Sequence, residues 1–168
     1  MAAVAFGRDG SDASLKAIAK EAGVGIGTLY RRFPTREDLV EATYRSETSR
    51  LCDDADDLLA VYGPVDGLRQ WGDRFLRYMH VKQGMADALP RILTAQEGLR
   101  LQSRARIRDA IAVFLDAGQA SRVLREDTTP ELVMLALGGT TLITEHEHDH
   151  ASGGALLDLL LDGLRARE

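Results

Sequence analysis

SLKAIAKEAGVGIGTLYRRFPTREDLVEATY, residues 14–44, holds two short helical patterns separated by three residues that stop a helix and turn it. Ser14 can accept a backbone hydrogen bond at the head of the first pattern, whose apolar face is Leu15, Ile18, Ala19 and Ala22. Gly23 stands where the chain must leave the helix through a left-handed residue, which glycine enters without a Cβ clash. Val24 is expected to turn inward and fasten the two helices together. The second pattern, Ile26 to Phe33, puts Leu29 and Phe33 on the core side and spreads Thr28, Tyr30, Arg31 and Arg32 over the outer sides. So short a helix with so much hydrogen-bonding and cationic surface suits a DNA major groove better than a protein interior. The spacing predicts a helix-turn-helix. Directly after it, Thr35-Arg36-Glu37-Asp38 has the form of a capping box with Asp in place of Glu, opening a further helix.

Outward from this stretch the periodicity stays helical. Leu68, Trp71, Gly72, Phe75, Leu76 and Met79 recur on one helical face, as do Ile107, Ile111, Phe114, Leu115 and Gly118. Thr129-Pro130-Glu131 reads as an N-cap, a proline at the first helical position and an acid in the first turn, while Pro64 and Pro90 mark breaks. No strand pattern, internal repeat or low-complexity tract stands out. The expected fold is all-α with about nine helices, divided at residues 1–46 and 47–168.

The 168 residues are 45% apolar, enough for a folded globular chain, and carry a formal charge of −5. That average hides a basic island. Between Lys16 and Arg36 stand Lys16, Lys20, Arg31, Arg32 and Arg36 against Glu21 alone, so a local face can attract a polyanion that the whole chain would repel. The stretch Leu132 to Thr144 is uncharged but too short to span a bilayer, and MAAVAFGRDG lacks the form of a secretory signal. The single cysteine, Cys52, has no internal partner for a disulfide. A cytoplasmic protein without membrane contact is the expectation.

Residues 14–44 closely resemble the DNA-binding domain of the TetR/AcrR transcriptional regulators, whose pattern reads roughly sl..IA.eaGvs.gtlYrhFpsKe.L. The match runs through Ile18-Ala19, Gly23-Val24, Gly27-Thr28-Leu29-Tyr30, Phe33-Pro34 and Glu37-Asp38-Leu39. The resemblance implies that Ser14 and Thr28 contact phosphates and that Tyr30 reaches the sugar-phosphate backbone. It also implies that Arg36, in place of the usual lysine, grips phosphate, and that Ile26, Gly27, Arg31 and Arg32 approach base edges or neighbouring phosphates. The chemistry agrees, because Arg31 can pair bidentately with guanine and Gly27 allows close approach to the groove.

Three departures qualify the match. Gly25 replaces the serine that caps the recognition helix, Ile26 replaces a polar or cationic residue and favours a thymine methyl contact, and the first helix is reduced to about Ala2 to Phe6.

The same resemblance implies that residues 47–168 form a ligand-binding and dimerisation domain. Ser121 to Asp127 and Leu160 to Arg165 also resemble it, more loosely. Trp71, Phe75, Tyr78, Met79 and Met85 are candidates for a pocket taking a partly hydrophobic small-molecule effector, although ordinary core packing accounts for each of them as well. Leu132 to Ile143 and Leu156 to Leu164 are apolar around most of their circumference. Such segments are expected to bury against a partner as well as the core, and the resemblance implies a homodimer joined by a four-helix bundle of these two helices from each chain, with Leu132, Leu135, Gly139, Leu142, Leu156, Leu160 and Leu164 at the interface. Between these segments, His146-Glu147-His148-Asp149-His150 spells H-E-x-x-H, but without an apolar face or a downstream third ligand. No enzyme, metal or cofactor is expected from it. His146 and His150 remain a weak candidate pair for metal binding.

The expectation is a ligand-responsive regulator, a repressor, that binds a pseudo-palindromic double-stranded DNA operator as a homodimer and is released by a small molecule. A metal-responsive regulator using His146 to His150, and a helical module that has lost DNA binding, are the competing expectations.

Overall fold

The computed structural model describes residues 1–146 and 152–166. Among them stand nine α-helices, one 3-10 turn and no strand, in agreement with the expected class. No described helix is long and apolar enough to cross a membrane. The chain divides into two compact units, Met1–Ser49 with Tyr78–Ser103, and Arg50–Arg77 with Arg104–Glu168.

In the first unit, α1 (Ala2–Asp9) runs into a 3-10 turn (Gly10–Asp12), followed by α2 (Leu15–Glu21), α3 (Ile26–Arg32) and the start of α4 (Arg36–Asp53). The last residues of α5 (Ala55–Gln83), all of α6 (Leu89–Ala95) and the beginning of α7 (Glu97–Ala120) complete it. Helix α1 is longer than the sequence suggested, because the chain stays helical until Gly10, whose φ of 58° ends it. Phe6, Ile18, Leu39, Val40, Met85 and Leu89 are buried in the core of this unit. Tyr44 and Tyr78 face each other with ring centroids 6.3 Å apart, and the Thr48 and Tyr78 hydroxyls lie 3.3 Å apart. Buried hydroxyls are thereby kept in partnership, which removes the cost of stranding them.

The second unit contains most of α5 and α7, then α8 (Pro130–His146) and α9 (Ser152–Leu164). Helix α5 breaks at Gly63 (φ 75°), and Pro64 opens its second half, where the missing N–H costs nothing. Trp71, fully buried, stacks on Phe75 at 5.6 Å and tilts against Phe114 at 6.4 Å. Its indole N–H donates to the Leu51 carbonyl at 2.9 Å. After α7 the chain makes a tight reversal in which the Val123 and Leu124 amides both reach the Gly118 carbonyl. The Arg125 amide then donates to the Leu164 carbonyl and the Ala166 amide to the Val123 carbonyl, at 2.9 and 3.1 Å. This pins the segment before α8 to the end of α9.

Candidate nucleic-acid interface

The site is built by two short helices and the turn between them. The Ser14 hydroxyl oxygen accepts from the Ala17 amide at 3.1 Å and so caps α2. Its own O–H remains a donor, so capping and phosphate contact do not compete. Gly23 has φ of 68°, the left-handed conformation expected of it, and its amide donates to the Lys20 carbonyl. Val24 departs from expectation, with its side chain 41% exposed. The turn is closed by the Val24 amide donating to the Ala19 carbonyl at 3.0 Å, so backbone does the fastening that was assigned to the side chain. Ile18, Ala19 and Leu29 are the buried residues of α2 and α3. Phe33 is half-buried, with the Arg32 guanidinium over its ring at 5.7 Å.

Gly25 serves as N-cap of α3 with an extended backbone and no side-chain hydrogen bond. Only Leu29 of α3 is buried, while Ile26, Gly27, Thr28, Tyr30, Arg31 and Arg32 are all exposed. A Cβ on Gly27 would meet nothing within 4 Å, so this side of the helix is open. Arg31 donates to the Thr28 hydroxyl at 3.2 Å, one turn back, which aligns two candidate DNA contacts along the helix. Helix α1 braces the arrangement, since Arg8 pairs with Glu21 at the end of α2 at 2.7 Å. Hydrogen bonds to Asp9 first and Glu21 second push the Arg8 pKa further up.

Arg36 has a different setting from the other candidates. Its guanidinium donates through Nε to Asp87 at 3.0 Å, through Nη1 to the Ala13 carbonyl at 2.5 Å, and through Nη2 to the Ser11 carbonyl at 3.0 Å. It also lies over the Phe6 ring at 5.3 Å, and its side chain is 23% exposed. Every nitrogen of the fork is engaged within the protein. Asp87, 51 residues away, was not singled out by any local signal in the sequence.

Among the candidate pocket residues, Trp71 and Phe75 pack in the second unit as described. Tyr78 and Met85 are buried in the first unit, and Met79 is half-buried.

Helices α8 and α9 pack on each other and leave an apolar face outward. Leu132, Leu135 and Leu142 are exposed, as is Gly139, and Leu156 and Leu160 are half-buried. Leu164 is 6% exposed and closes against its own chain. Ile143 of α8 and Leu159 of α9 are also more than half exposed. A groove of about 400 Å³ runs between the helices, with Leu132, Val133 and Ala136 on one wall and Leu159 and Leu160 on the other. Helix α8 ends at His146, and His150 lies outside the described residues, as does the rest of the H-E-x-x-H cluster. Among the described residues no group of three metal-ligating side chains forms.

A family model described as bacterial regulatory proteins, tetR family, matches residues 1–43. A second, described as the C-terminal domain of SbtR-like transcriptional regulators, matches residues 63–166. The crystal structure of the TetR transcriptional regulator SCO0520 from Streptomyces coelicolor is similar, with TM-score 0.88 and 43% identity, over 99% of this chain and 98% of that one. A TetR transcription regulatory protein from Mycobacterium vanbaalenii is also similar, with TM-score 0.74 and 27% identity, over 98% and 90% of the two chains. A comparison with curated proteins finds no match.

Proposed function

Because this chain belongs to the TetR family of bacterial regulatory proteins, we propose that it is a ligand-responsive repressor, active as a homodimer on a pseudo-palindromic operator. It is a DNA-binding transcriptional regulator and not an enzyme. The observation that supports the assigned DNA contacts is α3 itself, whose polar and cationic side chains are all exposed while Leu29 is its buried residue. Ser14, Thr28 and Tyr30 supply phosphate and sugar contacts that set register, and Arg31 and Arg32 supply base or neighbouring phosphate contacts. Ile26 offers an apolar edge to a thymine methyl. Affinity comes mainly from the phosphates and falls with salt.

Two copies of α3 reach successive major grooves when their centres lie roughly 34 to 36 Å apart. The exposed faces of α8 and α9 supply the surface that pairs the copies. The functional division falls near residue 46, with effector binding and dimerisation after it, and the protein acts in the cytoplasm. The effector of this reading is a small, partly hydrophobic molecule. A coupling of about 1 to 3 kcal/mol between effector and operator, roughly 5- to 150-fold in affinity, suffices to release DNA.

Selection of bound duplexes from a random pool, followed by a screen for compounds that abolish binding, tests this reading. Arg31→Ala is expected to weaken binding to the selected site by about 1 to 3 kcal/mol and to relax preference at one position. Equal binding by the parent, Arg31→Ala and Arg32→Ala, through nonspecific charge alone, would sink the assignment.

A further inference from the structure

We propose that Arg36 is a positioning residue that latches the turn between α5 and α6 to the helix-turn-helix through Asp87, and that it is not a phosphate ligand. The inference rests on the DNA-binding reading and deepens it. The turn, residues 84–88, is seated on α1 by contacts that leave it little freedom. A Cβ on Gly84 would collide with the Phe6 carbonyl oxygen, so backbone lies directly on backbone there. Met85, Ala88 and Leu89 are each no more than 2% exposed. Asp87 then presents its carboxylate to Arg36 Nε at 3.0 Å.

The same guanidinium reaches the Ala13 and Ser11 carbonyls, both in the short connection that precedes Ser14, which caps α2. One planar fork therefore joins three pieces of chain: the α5–α6 turn, the connection into α2, and the first residue of α4. Phe6 lies beneath the fork and holds its plane. A displacement of the turn is transmitted to the head of α2 and hence to α3, which α2 carries. Geometry also explains arginine at this position. A lysine presents its donors from a single nitrogen and cannot span a carboxylate and two separate carbonyls as a planar fork does. For a phosphate contact, by contrast, lysine serves as a point charge.

The test uses the full chain and a duplex selected from a random pool, with affinity measured across a series of KCl concentrations. Arg36→Lys and Asp87→Asn are each expected to weaken binding about tenfold at every salt concentration, within the usual range of coupling between sites. The slope against salt should stay unchanged, and the double variant should be no worse than either single one. A role confined to stability would lower the melting temperature without moving the affinity of the folded protein.

Three results overturn the latch: Arg36→Lys binds like the parent, Asp87→Asn binds more tightly, or Arg36→Gln lowers the salt slope by about 0.9 per half-site, as loss of a phosphate contact requires. If the parent selects no duplex at all, it is the DNA reading that fails. The latch is then read by hydrogen exchange, where Arg36→Lys and Asp87→Asn should speed exchange of the α2 amides about tenfold, and unchanged exchange refutes it.

Discussion

Cys52 sits half-buried on α4, and burial pushes its thiol up to about 11, from an ordinary value of 9.0. The nearby Arg106 charge pulls the other way but is the smaller influence. Only the thiolate is a good nucleophile, so alkylation by iodoacetamide at neutral pH should run about a hundredfold slower than for a free thiol. The native state holds this proton more tightly than the unfolded chain. Its contribution to stability is therefore complete below about pH 9 and is lost as pH rises toward 11. Denaturation midpoints measured over that range should fall for the parent, and Cys52→Ala should remove part of the fall; identical profiles would disprove the assignment. Gly25 allows a second test at this scale. Its extended backbone already has N-cap geometry, and an added Cβ would meet only the Thr28 hydroxyl at 4.0 Å. Gly25→Ser should thus stabilise the chain by a few tenths of a kcal/mol, read as a small rise in melting temperature.

Helix α4 begins with a reciprocal cap, in which the Asp38 carboxylate accepts from the Thr35 amide at 2.9 Å and the Thr35 hydroxyl accepts from the Asp38 amide at 3.1 Å. Thr35→Ala should cost about 1 kcal/mol, and thermal unfolding that matches the parent would show the cap to be idle. That cap was readable in the sequence because its partners lie three residues apart, and so were Ser14, Gly23 and Thr129, whose roles are equally local. Two features resisted such reading. Val24 looked like an inward apolar residue, but the Ala19 carbonyl closes the turn and leaves the side chain at the surface. Arg36 is legible as a basic residue of the motif, but its partners within the protein are not. Its acceptors at Ser11, Ala13 and Asp87 are fixed by tertiary packing, to which helical periodicity is blind. The same blindness affected the leucines of α9, where an almost uniformly apolar helix does not say which side meets its own core. Leu164 turned inward and Leu159 outward.

For the whole molecule, the proposed pairing of two chains and recognition of two half-sites are one energetic problem. A monomer presents one α3 and gains one set of phosphate contacts, whereas a dimer engages the second set at the effective concentration fixed by its rigid spacing. In the proposed homodimer the apolar residues left outward on α8 and α9 supply the pairing surface, since Leu132, Leu135, Leu142 and Leu159 are all more than half exposed. Burying such side chains is worth about 1.5 to 3 kcal/mol each, so placing a charge among them should be felt by the assembly before the fold. Leu142→Glu is expected to give a folded monomer by sedimentation equilibrium, with an unchanged helical circular dichroism spectrum and operator affinity reduced at least a hundredfold. Leu164→Ala is the counterpart. Being buried within its own chain, this side chain should cost about 2 to 5 kcal/mol of fold stability when truncated. If Leu142→Glu stays dimeric and binds as before, the pairing surface lies elsewhere. If it becomes monomeric yet binds the operator undiminished, recognition does not depend on two linked copies of α3.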